Sequence, residues 1–298
     1  NLKNKAADMR TMQQMVDQAM AIVSSAKTDL VEFGRLLKEA WSLKRSLSDR
    51  VTNTPVDQLL DGAMKAGAVG GKLLGAGGGV GGERKRGHNA IDRHLAARAD
   101  QNALIFVSTE TDEERVYSFR ELHAEVQRMA AILLSQGVKQ GDRVLIYMPM
   151  IAQAAFAMLA CARIGAIHSV VFGGFASSSL ASRIDNAEPV LVVSADAGSR
   201  SGKVVPYKGL LDEAIRLAKH KPAKVLMIDR KLAAFDAVAG RDADYATLRE
   251  QHMNTVVPCA WVDAAHPSYT LYTSGTTGTP KGVQRDTGGY AVALAASM

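Results

Sequence analysis

Val190-Leu191-Val192-Val193 holds no polar position and is bounded by Pro189 and Ser194. A strand with one wet face alternates apolar and polar residues, whereas a strand covered on both faces does not. The run therefore predicts a strand, Val190–Ser194, deep inside a sheet. Its neighbours supply the cover. Helix Ser178–Asn186 precedes it, and helix Gly209–Lys219 follows and leads into strand Lys224–Ile228. Upstream, strand Arg143–Tyr147, helix Ile151–Ile164 and strand Ile167–Phe172 repeat the alternation. Further back, helical His88–Arg98 is followed by strand Ala103–Ser108, a turn at Thr111-Asp112-Glu113-Glu114 and strand Val116–Ser118. A helix from about Phe119 to Gln136 closes at Gly137, a carboxy-terminal cap. Strands alternating with helices predict an α/β fold on a doubly wound parallel sheet.

The first 68 residues read instead as helices. Met12, Met15, Val16, Ala19, Met20, Ile22 and Val23 recur at helical spacing. Thr28-Asp29 precedes a second stripe of Leu30, Phe33, Leu36, Leu37, Ala40, Trp41 and Leu47. Thr54-Pro55 opens a third helix through about Ala66, a cap followed by a first-turn proline. Between Gly62 and Gly87 lie 11 of the 26 glycines. Each glycine costs about 1 kcal/mol in a helix interior. This stretch is a linker or a backbone loop that closely approaches something else.

Composition excludes several classes. The chain has 298 residues, 47% apolar and 22% charged, enough for a large core and too apolar for a disordered tail. The longest nearly apolar run, Met150 to Ala162, is shorter than the ~20 residues that span a bilayer. No signal-peptide order is visible, and a cytoplasmic setting is expected. Cys161 and Cys259 give no disulfide framework and no metal-ligand spacing. The first 87 residues carry 14 Lys/Arg against 9 Asp/Glu, and the remainder 22 against 21. The one tight basic run, Arg84-Lys85-Arg86, lacks interleaved aromatics and reads as solvated linker, so nucleic acid is not an expected partner.

The segment richest in chemistry is Tyr269-Thr270-Leu271-Tyr272-Thr273-Ser274-Gly275-Thr276-Thr277-Gly278-Thr279-Pro280-Lys281-Gly282. An apolar strand runs into hydroxyls, glycines and a lysine. Glycines let backbone N–H groups turn toward an anion, hydroxyls add short donors, and the lysine adds a mobile charge. This suits a triphosphate or pyrophosphate, yet the spacing is not that of a Walker loop. Its bland alternative is a Ser/Thr/Gly surface turn.

This loop resembles the signature loop of adenylate-forming enzymes, the acyl-CoA synthetase superfamily. Tyr147-Met148-Pro149-Met150, the run Ala160 to Phe175, and Thr287-Gly288-Gly289-Tyr290 resemble its acetyl- and propionyl-CoA synthetase branch. Ser194 to Arg200, Val204-Val205-Pro206-Tyr207-Lys208 and Gln284-Arg285-Asp286-Thr287 are most similar to propionyl-CoA synthetases. The resemblance covers about residues 88–298. It implies the partial sheet of an adenylate-forming domain and a two-step reaction. A carboxylate attacks the α-phosphate of ATP, giving an acyl-adenylate and pyrophosphate; the thiol of CoA then displaces AMP.

By that resemblance Thr273, Ser274, Gly275, Thr276, Thr277, Gly278 and Lys281 hold the ATP phosphates, with Mg2+ neutralising the rest. Thr279 stands where the family usually has lysine, which removes a charge beside the loop. Arg200 and Lys203 match the basic pair that takes the 3′-phosphate end of CoA, and Thr287 would lie beside it. Lys203 keeps the charge but lacks the bidentate fork of arginine. Two solvated loop charges are the plain alternative for that pair. Gly173-Gly174-Phe175 reads as a strand-to-helix turn, and His168 as a satisfied core histidine. No catalytic residue and no protein-held metal is assigned.

Leu36 to Arg45 and Ala66 to Gly79 resemble the carboxy-terminal part of GHMP sugar kinases, nearest the heptose-7-phosphate kinase branch. The Pro-x-x-x-Gly-Leu-Gly-Ser-Ser loop of that family is absent. Gly77 to Gly82 also fit Gly-x-Gly-x-x-Gly, but no strand precedes them, and they read as a coincidence of glycine density. The expected division is a helical kinase-like segment over 1–79, a Gly/basic junction over 80–88 and an AMP-binding segment over 89–298. The expectation is a truncated ligase acting on a short-chain carboxylate and inactive alone. A non-catalytic nucleotide- or CoA-binding fragment and a sugar-kinase remnant stay open beside it. The oligomeric state cannot be read.

Overall fold

A computed structural model describes residues 11, 14, 15, 17–19, 21, 22, 30–47, 60–62, 64, 65, 67–69, 83, 84, 88, 90–200, 202–273 and 281–297. The chain falls into two compact units, Asn1–Gly82 with Gly288–Met298, and Glu83–Thr287. In the first, α1 spans Leu30–Leu47 and buries Ala40 and Trp41 from its apolar stripe. The described residues of 11–22 and 60–65 are helical, as their spacing predicts. The Thr54-Pro55 cap and glycines 70–82 lie outside the described residues.

The second unit opens with β1 (Glu83–Arg84), a 3₁₀ turn at Asp92–His94 and the short helix α2 (Leu95–Arg98). The continuous helix expected over 88–98 is therefore broken. Ile91 is buried at a turn, and the Asp92 carboxylate accepts hydrogen bonds from Arg163 (2.9 Å) and the Cys259 thiol (3.0 Å). Tertiary anchoring overrides local propensity here. Next come β2 (Asn102–Ser108), β3 (Glu113–Ser118) and α3 (Phe119–Ser135). Ser118 and Glu121 form a capping box at the start of α3, worth about 1 kcal/mol. Gly137 follows its end at φ +90°.

The remainder is β4 (Arg143–Tyr147), α4 (Ala152–Ile164), β5 (Ile167–Val171), α5 (Ser177–Ala187), β6 (Leu191–Ala195), β7 (Gly198–Arg200), β8 (Lys203–Val205), α6 (Tyr207–Leu217), β9 (Lys224–Ile228), β10 (Asp242–Asp244), α7 (Tyr245–Gln251), β11 (Val262–Asp263), β12 (Pro267–Thr273) and β13 (Lys281–Asp286), with α8 (Thr287–Ser297) beginning at its last residue. Seven strands form one sheet in the order β10-β9-β6-β4-β5-β12-β13. All neighbours are parallel except β12 and β13. That antiparallel edge refines the all-parallel expectation. Only residues 274–280 separate the two strands, too few for the crossover of a dozen or more residues that a parallel pair needs.

Alternation along the central strands explains their unbroken apolar runs. Val144, Ile146, Val193 and Leu226 face the core shared with α3 and α4. Leu145, Tyr147, Val192, Val225 and Met227 face the core shared with α5 and α6. Each fully buried side chain of this size contributes about 1.5–3 kcal/mol. Among the described residues no helix is long and apolar enough to cross a membrane.

Candidate functional site

The strand order locates the chemistry. The chain runs from β4 out to β5, then returns past β4 to β6. In such sheets ligands bind outside the carboxyl ends of the strands, where the winding reverses. The segments leaving that edge are Tyr147-Met148-Pro149-Met150, Phe172 to Phe175, Asp196 to Arg200, and the end of β12 at Thr273. Met150 and Phe172 are exposed there, 87% and 62%, with Phe172 edge-on to Phe175 at 5.7 Å between ring centroids. A cleft of about 320 Å³ lies elsewhere, against the sheet face toward the amino ends of β4 and β5, and none of the predicted site residues lines it.

β12 and β13 place Thr273 opposite Lys281, with the Thr273 hydroxyl 3.5 Å from the Lys281 carbonyl oxygen. Both residues are exposed. Ser274, Gly275, Thr276, Thr277 and Gly278 lie outside the described residues. The strand feeding the loop is fixed from α5. The Tyr272 hydroxyl donates to Asn186 Oδ1 at 2.8 Å, and the Arg183 guanidinium lies over the rings of Phe175 (4.0 Å) and Tyr272 (5.6 Å). Burial lowers the pKa of Arg183 and raises that of Tyr272. Sequence reasoning missed this support; an arginine inside an otherwise apolar helix stripe was its one signal.

The expected basic pair, Arg200 and Lys203, closes the antiparallel pair of β7 and β8. Gly202 takes φ +76°, and the register sets Arg200 opposite Lys203. Asp196, buried at the root of this hairpin, accepts from the backbone N–H groups of Arg230 (3.0 Å), Leu232 (2.8 Å) and Ala233 (3.1 Å). Tyr207, just past the hairpin, packs edge-on against Tyr147 at 5.2 Å between ring centroids. It fills the space left by Gly173 and Gly198, where a Cβ would come within 2.3 Å of its hydroxyl oxygen and 2.6 Å of its ring, respectively. The next residue, Lys208, is buried and pairs with Asp212 and Asp242. Burial would raise the pKa of Asp242, but hydrogen bonds from Arg241, the Val238 N–H and Lys208 hold it below its usual value.

Thr287 is buried, and its N–H donates to the His266 carbonyl at 2.8 Å. His168 is buried in β5 and stacks on Tyr269 at 5.6 Å. The structure thus pairs Thr273 with Lys281 and Arg200 with Lys203. The parent strands β12 and β6 stand three places apart, about 14 Å at ~4.8 Å per strand. Among the described residues no three His, Cys, Asp or Glu side chains gather in a metal-holding group.

Known proteins resemble two parts of the chain. Residues 91–298 match the family model for AMP-binding enzymes, and residues 21–90 match that for the GHMP kinase C-terminal region. The chain is 64% identical over 211 residues to a propionate–CoA ligase of Escherichia coli, an alignment covering 71% of this chain and 34% of that protein. It is 52% identical over 206 residues to an acetyl-coenzyme A synthetase of Methylobacterium radiotolerans, covering 69% and 32%. Among solved structures, acetoacetyl-CoA synthetase from Streptomyces lividans superposes with a TM-score of 0.63 at 31% identity, covering 70% and 31%. The chain therefore spans about a third of the length of these relatives.

Proposed function

The chain belongs to the AMP-binding enzyme family through residues 91–298, and from that premise we propose that it serves AMP-forming acyl-CoA synthesis on a short-chain carboxylate, propionate first. The carboxylate oxygen attacks the α-phosphorus of ATP and pyrophosphate leaves. The thiol sulfur of CoA then attacks the acyl carbon, gives up its proton and expels AMP. In this reading the hairpin from Thr273 to Lys281, with Ser274, Gly275, Thr276, Thr277 and Gly278 between, holds the β- and γ-phosphates. Mg2+ bound to the triphosphate substrate would supply the remaining charge neutralisation. Catalysis of this displacement is positioning and charge stabilisation.

Arg200 and Lys203 take the 3′-phosphate of CoA, with Thr287 on the same side. A phosphate held by both cations would make charge-assisted contacts with each. The observation that supports the proposal is that both hairpins continue from the carboxyl ends of strands in one sheet, β7–β8 after β6 and β12–β13 from β12. The propionate–CoA ligase similarity supports the choice of acid. We further propose the division at residues 80–88. Isothermal titration of the 298-residue chain with MgATP and with CoA tests the reading. Saturable binding of both is expected, and failure to bind either overturns it.

The match over residues 21–90 favours a second, separate reading of the first unit, a GHMP-type sugar-kinase remnant. No phosphorylation of a heptose phosphate is expected of such a remnant, and turnover by this chain would show a working kinase instead.

A further inference from the structure

We propose that Glu110 is a positioning residue for the cationic hairpin β7–β8, and the proposal rests on the coenzyme A reading above. A hairpin with three residues per strand is marginal by itself, and here its register opposes Arg200 to Lys203. Something outside must hold it. The Ser199 N–H donates to Glu110 Oε1 at 2.9 Å, one residue before Arg200. Glu110 Oε2 pairs with Arg230 Nη1 at 2.6 Å, and the same nitrogen donates to the Ala197 carbonyl at 3.1 Å. The Arg230 N–H in turn donates to Asp196 Oδ1 at 3.0 Å. The stretch Asp196 to Ser199 is thus gripped from two places far away in sequence, the β2–β3 turn and the segment after β9.

The turn that presents Glu110 is itself fixed. The Ser108 hydroxyl, in a buried residue, accepts from the N–H groups of Glu110 (3.2 Å) and Thr111 (3.3 Å). Side chains of Glu110 and Arg230 are 22% and 9% exposed, so their pairing is less screened than at an open surface. Arg230 also neutralises the carboxylate, which lets an acid sit beside an anion site without repelling the anion. Glu110 touches no reacting atom in this account; it acts by holding the backbone that carries the cations.

The ratio of dephospho-CoA to CoA dissociation constants isolates the 3′-phosphate contact. It is expected to be about tenfold or more for the unaltered chain, in line with charge-assisted hydrogen bonds. Glu110→Ala is expected to bring the ratio near unity. Affinity for dephospho-CoA and for MgATP should stay within about twofold, which a general loss of structure would not allow. Glu110→Gln keeps an oxygen for Ser199 but loses the charge toward Arg230, and should lower the ratio at least about threefold. An unaltered chain that binds both ligands equally, or neither, overturns the coenzyme A reading and this proposal together. An unaltered chain that discriminates, with Glu110→Ala discriminating equally, overturns the proposal alone. If the alanine variant does not fold, an unchanged ratio in Glu110→Gln does the same.

Discussion

Gly173→Ala perturbs the packing that ties the end of β5 to the cationic hairpin. A Cβ there would lie 2.3 Å from Tyr207 Oη and 2.6 Å from Cε1 and Cζ, where ordinary contact begins at 3.4 Å. The ring must retreat by about 1 Å, an overpacking of the kind that costs about 1–3 kcal/mol. It has little room. Its other edge lies against Gly198, Tyr147 is set against it at 5.2 Å, and the residue is 8% exposed. In a unit of this size the expected fall in Tm is about 3–10 °C. Tyr207 directly follows β8 and Pro206, so the displacement should also weaken CoA binding while sparing MgATP. Tyr207→Leu removes the clashing ring atoms. The double variant should therefore be more stable than the sum of the single effects by about 1 kcal/mol or more. Urea denaturation of the four proteins reads this coupling. Additivity within about 0.5 kcal/mol, or a silent Gly173→Ala, would refute the packing argument.

Three further outcomes are expected. Burial alone would raise the pKa of Asp92, but hydrogen bonds from His123, Arg163 and Cys259 hold it well below the usual carboxylate range. The unfolded chain protonates near ~4, so the stability from Asp92 is present at neutral pH and lost progressively as pH falls below about 4. Asp92→Asn should be less stable than the unaltered chain at pH 7, with the gap narrowing in urea titrations at pH 3; a constant gap contradicts this. Burial pushes the Cys161 thiol up to about 12, so Ellman's reagent on the native protein should label Cys259 and reach Cys161 only after denaturation. Ser118→Ala removes the side chain that accepts the Glu121 N–H and should cost about 1 kcal/mol in the same urea assay.

Much of the fold was legible because the central strands are buried on both faces. Arg143–Tyr147 and Lys224–Ile228 carry that burial as unbroken apolar runs, and both strands have the predicted bounds. Gly137 marked a helix end for the same local reason, a backbone conformation that glycine adopts freely. What escaped was either short or distant. β7, β8 and β10 have three residues each, too few to show a period. β13 is exposed at all six positions, so no apolar alternation marks it. The break at Ile91 and Asp92 depends on Arg163 and Cys259, far along the chain. The site divides in the same way. The glycines, hydroxyls and cations of the two loops could be read directly. Their supports, Arg183 behind Tyr272 and Glu110 behind Ser199, are single residues that only the packed structure brings into contact.

The claim on which the account turns is that the hairpin closed by Thr273 and Lys281 grips the polyphosphate of ATP. Amide hydrogen exchange across residues 269–286, with and without MgATP and repeated for Lys281→Ala, tests it most directly. Saturable protection confined to this hairpin, with the midpoint shifted about tenfold or more by Lys281→Ala, is the expected result. Exchange rates that stay the same at saturating nucleotide, or protection indifferent to the lysine, would contradict the claim.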